Sequence, residues 1–255
     1  MNIYHEANRA GWDAEAEQWQ AGIEEEGLWH RCHREPELVF TPEESAWLRD
    51  LAGKRVCVLG SGDNLAAFAL AGMGAQVTSV DISQRQLDIA AGRAGQLGLD
   101  ITFLRADVTD LAALDSASFD LVYTGGHVAV WVADIWQFFA EATRIITPGG
   151  LLVISEYHPF RRVWQACANQ FILEDPYFRR GPFTYDRADA GSATPLPSYE
   201  FHWTVSDYTT ALLDAGCELL ALREFGDGRE KWERNNLEGL PLSLLLVGRK
   251  KSESE

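Results

Sequence analysis

The chain reads as a doubly wound α/β domain built on a mostly parallel sheet. Three observations predict it. Residues 56–59 are a short apolar run, rich in β-branched side chains, that leads straight into Gly60-Ser61-Gly62. This is the pattern of a buried parallel strand entering a tight turn. Strand-like and helix-like segments then alternate up to residues 151–155, as right-handed βαβ crossovers require. Finally, Asp81 follows the second strand-like run roughly twenty residues after the glycines. That puts a carboxylate in the crevice outside the strand ends, where open α/β sheets bind ligands.

Taken in order, residues 6–26 form an amphipathic helix pattern with Trp12, Ala16, Trp19 and Ile23 on one face. His30-Arg31-Cys32-His33 lacks a second ligand cluster at metal spacing and reads as a loop, so no metal is expected. Thr41-Pro42-Glu43-Glu44 is a helix start with Thr41 as cap and Glu44 closing a capping box. That helix is expected to run to Ala52-Gly53. After the Gly60 turn, Asp63 or Asn64 caps a helix over 65–73, and 76–80 forms the second strand. Ser83 and Gln86 open a helix that reaches Leu97, with Gly98 behind it. Residues 101–104 are a third strand, followed by Arg105-Ala106-Asp107-Val108. Residues 119–123 are a fourth, followed by Thr124-Gly125-Gly126-His127 and a helix from about Trp131 to Ile146. Pro148-Gly149-Gly150 turns into the fifth strand.

The rhythm then stops. Residues 158–202 are rich in Pro, aromatics and Arg (Phe160, Arg161, Arg162, Trp164, Tyr177, Phe178, Arg179 and Arg180 among them). A long irregular insertion in a compact domain is usually functional, and its aromatic content argues against disorder. It reads as a lid over the substrate side. Ser206 caps a helix over 207–215, and residues 218–225 and 242–247 form an antiparallel pair with a long connection. The domain division is therefore a helical cap over 1–53, the α/β domain over 54–249 carrying the lid, and a frayed tail over 250–255.

The 255 residues carry 22 Lys+Arg against 38 Asp+Glu, a net charge of −16. A field of that sign repels nucleic-acid backbones and anionic membranes, which excludes both as expected partners. Cys32, Cys57, Cys167 and Cys217 are scattered without a C-x-x-C pair, the usage of a reduced, cytoplasmic protein. The polar N-terminus does not read as a signal peptide, and no apolar run approaches the ~20 residues that span a bilayer.

A carboxylate at Asp81 beside a Gly turn accepts hydrogen bonds from ribose hydroxyls, so an adenosine-type cofactor is expected. A dinucleotide site wants G-x-G-x-x-G, and the third glycine position here is Leu65. The order of motifs resembles the class I S-adenosylmethionine-dependent methyltransferases that act on small molecules. VCVLGSG is similar to their Gly-rich motif, VTSVDIS to the second strand with its ribose acid, and FLRADVTDL to the adenine motif. FDLVYTGGHVAVW and ITPGGLLVISEYHP are similar to the fourth and fifth strand motifs, and NRAGWDAEAEQW to the leading helix. The sequence departs from the family pattern at Val58, where an acid is common, and at Asn64, which replaces a third glycine.

The resemblance implies a Rossmann-like, seven-stranded sheet, parallel except for its last strand, and methyl transfer from S-adenosylmethionine, leaving S-adenosylhomocysteine. It implies cofactor contacts from Gly60, Ser61, Gly62, Asn64, Asp81, Ile82, Gln86, Ala106, Asp107, Val108, Thr124, Gly125 and Gly126, with Trp12 and Trp19 enclosing the site. On the acceptor side His158 is the first choice for a base and His127 the second, with Glu156 and His202 also at strand ends. The expected partner is a small molecule and the expected assembly a monomer or homodimer. An NAD(P)-dependent oxidoreductase and a non-catalytic cofactor-binding regulator are the alternatives.

Overall fold

A computed structural model describes residues 2–164, 172–186, 196–226 and 240–252. Cys167, the tip of the 158–202 insertion, most of the connection between the last two strands and the end of the tail lie outside the described residues.

Seven strands form one sheet: β1 (Arg55–Leu59), β2 (Gln76–Asp81), β3 (Ile101–Arg105), β4 (Phe119–Gly125), β5 (Ile146–Tyr157), β8 (Cys217–Phe225) and β9 (Ser243–Lys250). Their order is β3-β2-β1-β4-β5-β9-β8. The ladders from β3 to β5 are parallel, and β9 runs antiparallel to both β5 and β8. The sheet is therefore the expected Rossmann-like one. The order reverses between β1 and β4, and the crevice at that switch point is where such a sheet receives ligands.

Helices α3 (Leu65–Gly72) and α4 (Gln84–Leu97) supply one face of the core, and α5 (Ile135–Ile145) and α6 (Val205–Asp214) the other. Ile135, Phe138, Phe139, Ala142 and Ile145 of α5 are fully buried. Each large apolar side chain removed from water contributes about 1.5–3 kcal/mol. The central strands are apolar on both faces because helices cover both. The insertion contributes a small antiparallel hairpin of β6 (Phe183–Asp186) and β7 (Pro197–Glu200). It rejoins the body through Phe201 N–H on Val130 C=O (2.7 Å) and the Trp203 indole on Val132 C=O (3.0 Å).

Several local expectations are corrected. Helix α2 is only Pro42–Ser45. Its Thr41–Glu44 capping box forms, but Asp50 takes a left-handed φ of 53° and the chain turns so that both Leu48 and Leu51 are buried. Helix α5 begins after Asp134, whose side chain caps Gln137 N–H, and not near Trp131, which closes a 3-10 turn. Helix α6 is capped by Thr204 in a reciprocal box with Asp207, not by Ser206. Asp207 is also held by Arg180 at 2.8 Å, and this pair makes Thr204 the better cap. Ser83 does accept from Gln86 N–H, but the Gln86 side chain turns to Gln20 instead of back to the cap. Asn64 caps nothing: it sits at φ 63°, and Asp63 Oδ1 takes the Leu65 amide.

Helix α1 (Ile3–Glu26) is capped by Asn2 and ends at Gly27. It buries a polar stripe, His5, Asn8 and Gln20 with Gly11 and Ala16. Trp12 is half-buried, and Trp19 is 39% exposed. The stripe faces the strand ends, so the helix crosses the mouth of the crevice.

Candidate active site

The Gly turn is built as the sequence requires. Gly60 has φ 62°, and a Cβ there would stand 2.5 Å from Val128 Cγ1. Only glycine combines that φ with that approach. Asp81 is buried beside it. Its Oδ2 accepts Gly62 N–H and its Oδ1 accepts Ser83 N–H, both at 2.8 Å. Burial raises this carboxyl, against the pull of the Ser83, Gly62 and Ile82 amides. With three amides on two oxygens, the carboxyl keeps lone-pair capacity for a hydroxyl. Ile82 is half-buried next to it, and Ala106 N–H donates to Asp81 C=O.

Asp107 is held from both sides. Oδ1 accepts from Thr109 N–H and its hydroxyl, and Oδ2 accepts from His5 Nδ1 at 2.7 Å. Ala133 N–H donates to His5 Nε2, which puts the imidazole proton on Nδ1. Burial raises the Asp107 carboxyl, but the bonds from His5 and Thr109 outweigh it and leave it below the ordinary carboxylate range. Val108 is buried alongside. Thr124 is fully buried at the end of β4, and its Oγ1 has no hydrogen-bond partner. Among the described residues this hydroxyl is left unpaired, a state that calls for a partner.

Helix α1 closes this crevice with side chains that sequence reasoning did not single out. Asp13 accepts from Ser83 Oγ at 2.7 Å. Gln20 binds the Gln86 side chain and Arg93, and reaches Gly62 C=O at 3.4 Å. Asn8 pairs with Tyr199 N–H and C=O on β7, joining α1 to the insertion. The available signal was the polar stripe at helical spacing, which the tryptophans outweighed. Trp12 meets Trp19 and Trp131 edge-on at 5.7 and 5.4 Å, and Trp131 meets His127 at 6.2 Å.

On the other side of the Gly turn lies a buried polar cluster. Arg162 donates to His127 Nε2 and stands 3.6 Å from Glu200. Burial, then the charges of Arg162 and Arg161, push the His127 imidazole well down. His127 also carries a left-handed φ of 80°, the kind of backbone strain that collects at sites. His158 does not offer a free ring nitrogen. Its Nδ1 accepts Phe160 N–H at 3.1 Å and its Nε2 donates to Glu224 at 2.7 Å. In this structure His158, the first choice for a base, caps the turn Pro159–Val163 and ties it to β8. Glu156 Oε1 accepts from the Val128 and Ala129 amides at 2.8 and 2.9 Å. Burial pushes its carboxyl up to about 7, against those two amides and Arg162.

The donor set suits a sulfonium nucleoside. No Lys or Arg stands among residues 60–64, 81–83, 106–108 or 124–126. A pyrophosphate at the Gly turn would meet the Asp63 and Asp81 carboxylates, with Arg93 turned to Gln20 and Glu24 of α1, whereas a sulfonium would be stabilised there. Among the described residues no group of three or more His, Cys, Asp or Glu is placed to hold a metal ion, and no helix is long and apolar enough to cross a membrane.

Sheet order, Gly turn and paired strand-end carboxylates together are the arrangement of the class I S-adenosylmethionine-dependent methyltransferase fold. Residues 57–154 match the family model described as "Methyltransferase domain". A ubiquinone biosynthesis O-methyltransferase from Caulobacter is 33% identical over 103 residues, 40% of each chain. An uncharacterized methyltransferase of Bacillus subtilis is 26% identical over 165 residues, 62% of this chain and 64% of that one. The chain thus spans about half the length of the curated relatives it matches. A crystal structure described as an S-adenosylmethionine-dependent methyltransferase from Mesorhizobium loti superposes with a TM-score of 0.64 at 26% identity. It covers 82% of this chain and 96% of that one.

Proposed function

We propose that the protein transfers the methyl group of S-adenosylmethionine to a small-molecule acceptor. The observation that carries this is the buried Asp81 carboxylate against the Gly60–Gly62 turn, with the Thr124 hydroxyl unpartnered among the described residues across the switch point. Bound there, the sulfonium supplies an electrophilic methyl. The chain's own residues bind and orient. Asp81 takes the ribose hydroxyls, and Asp107 with the Val108 amide takes the adenine edge. Gly60, Ser61, Gly62, Thr124, Gly125 and Gly126 admit the methionine part. Ile82 and Ala106 flank the nucleoside, while Asn64 and Gln86 brace the turn. Trp12 and Trp19 on α1 cover the site as a cap over 1–53, and 158–202 is the lid over the acceptor. Holding the acceptor's nucleophilic atom in line with the methyl is then the main source of rate. The acceptor is a small molecule, and the assembly is a monomer or homodimer.

Thermal unfolding with S-adenosylmethionine, S-adenosylhomocysteine and NAD in separate samples tests this. A compound at ~100 times its dissociation constant adds about 2.7 kcal/mol to the folded state. Stabilisation by the two sulfur compounds and not by NAD is expected. Stabilisation by NAD alone, or by none, overturns the assignment.

A further inference from the structure

A small, partly open cavity of about 20 Å³ lies between the ends of β4 and β5 and the returning end of the insertion. Its walls include His127, Tyr157, His158, Arg162, His202 and Tyr208, and Glu156 opens onto it. A space of that size holds one water-sized group, room for the reacting end of an acceptor and not for a whole molecule.

Its basic groups are already engaged. Arg162 occupies His127 Nε2, and both ring nitrogens of His158 are bonded. His202 stacks on Phe183 at 3.9 Å and has Nε2 at 3.4 Å from Glu200. Glu156 differs. Both of its amide bonds fall on Oε1, so the carboxylate is fixed in place while Oε2 takes no part in the fixing. Its position is also set relative to the cofactor motif. Gly125 pairs with Ser155 across β4 and β5, so Glu156 stands one residue past the level of the Thr124-Gly125 turn. The Val128 amide that it holds belongs to the residue whose side chain packs on Gly60.

We propose that Glu156 takes the proton of a protic acceptor, and that this cavity selects an O–H or N–H group over a carboxylate. The inference rests on the methyl-transfer reading above. The acceptor X–H gives its proton to Glu156 Oε2. The lone pair left on X forms the bond to the methyl carbon. The sulfur–methyl bond breaks with its electron pair staying on sulfur, giving X–CH3 and S-adenosylhomocysteine, and Glu156 returns the proton to water. A carboxylate acceptor would face Oε2 directly, with Glu200 nearby; the Nη1 and Nη2 ends of Arg162 already serve Glu200 and His127, which leaves only its buried Nε unpartnered among the described residues. A hydroxyl or ammonium group instead donates to Oε2.

Glu156→Gln keeps a carbonyl oxygen for both amides and removes the base. S-adenosylhomocysteine binding by calorimetry is measured first, on wild type and E156Q, and equal affinity within about threefold is expected. Loss in the variant alone would make Glu156 structural, and loss in both would overturn the cofactor reading instead. S-adenosylhomocysteine formation is then followed with catechol, 2-phenylethylamine and phenylacetate as probes. Turnover of catechol or the amine and not of phenylacetate is expected, with E156Q slower by about 10²–10⁴-fold. The wild-type kcat/KM should rise with pH through neutrality and E156Q should lose that limb, a change that a merely structural role would not produce. Turnover in E156Q within threefold of wild type, phenylacetate as the best probe, or no turnover of any probe overturns the proposal.

Discussion

The buried Glu156 carboxyl leads to a stability prediction that needs no substrate. Its folded value is about 7 against an ordinary 4.5, because burial disfavours the charge. Between those values the folded state binds more protons than the unfolded one, so this group makes stability fall as pH rises. The full effect is about 3 kcal/mol. Between about pH 5.5 and about pH 8 it amounts to about 2 kcal/mol, since the unfolded carboxyl is already ionised at the lower end. Glutamine does not titrate. Urea unfolding of wild type and E156Q at both pH values should therefore show the variant gaining about 2 kcal/mol relative to wild type on going to the higher pH. The constant cost or gain of the substitution cancels in that difference. A difference that is flat within about 0.5 kcal/mol, or that falls, would refute the assignment of a desolvated carboxyl at this position.

Other substitutions probe the rest of the site. His5→Ala leaves the buried Asp107 without its partner from α1, and urea unfolding at neutral pH should show a loss of about 1–3 kcal/mol. Because the Asp107 folded value is depressed, its contribution is present above the ordinary carboxylate range. The deficit should therefore shrink as pH falls through the folded value. Gly60→Ala puts a Cβ 2.5 Å from Val128 Cγ1 at φ 62°. It should lose at least about 1–2 kcal/mol in urea from backbone conformation alone and abolish stabilisation by S-adenosylhomocysteine. Arg31→Ala removes a solvent-exposed pair with Glu35 and should leave the urea midpoint unchanged, because exposed ion pairs contribute little.

The parts legible in the sequence are those set by neighbours along the chain. The Gly60 turn, its link to Asp81 and the Thr41–Glu44 capping box follow from local backbone chemistry, and the structure shows each of them. The apolar strands announce a two-sided core, and their alternation with helices announces parallel crossovers. Where a local signal was ambiguous, contacts from elsewhere decided it. Thr204 and Ser206 are equally good caps by composition, and the Asp207–Arg180 pair selects Thr204.

The proposed acceptor side was decided by tertiary structure alone. His158 looked like an available base until β8 brought Glu224 to its Nε2 and the next turn brought Phe160 N–H to its Nδ1. His127 is held neutral by its burial and then by Arg162 from the insertion. Helix α1 advertised its tryptophans, yet it is His5, Asp13 and Gln20 that reach the strand ends. The sequence by itself determined the sheet, the Gly turn and the carboxylates that line it, because those depend on residues within one or two elements. Only the folded chain determined which titratable groups keep a free atom, because their hydrogen bonds join residues tens to a hundred positions apart. Burial, which sets the charge of Glu156 and His127, exists only once those segments have met.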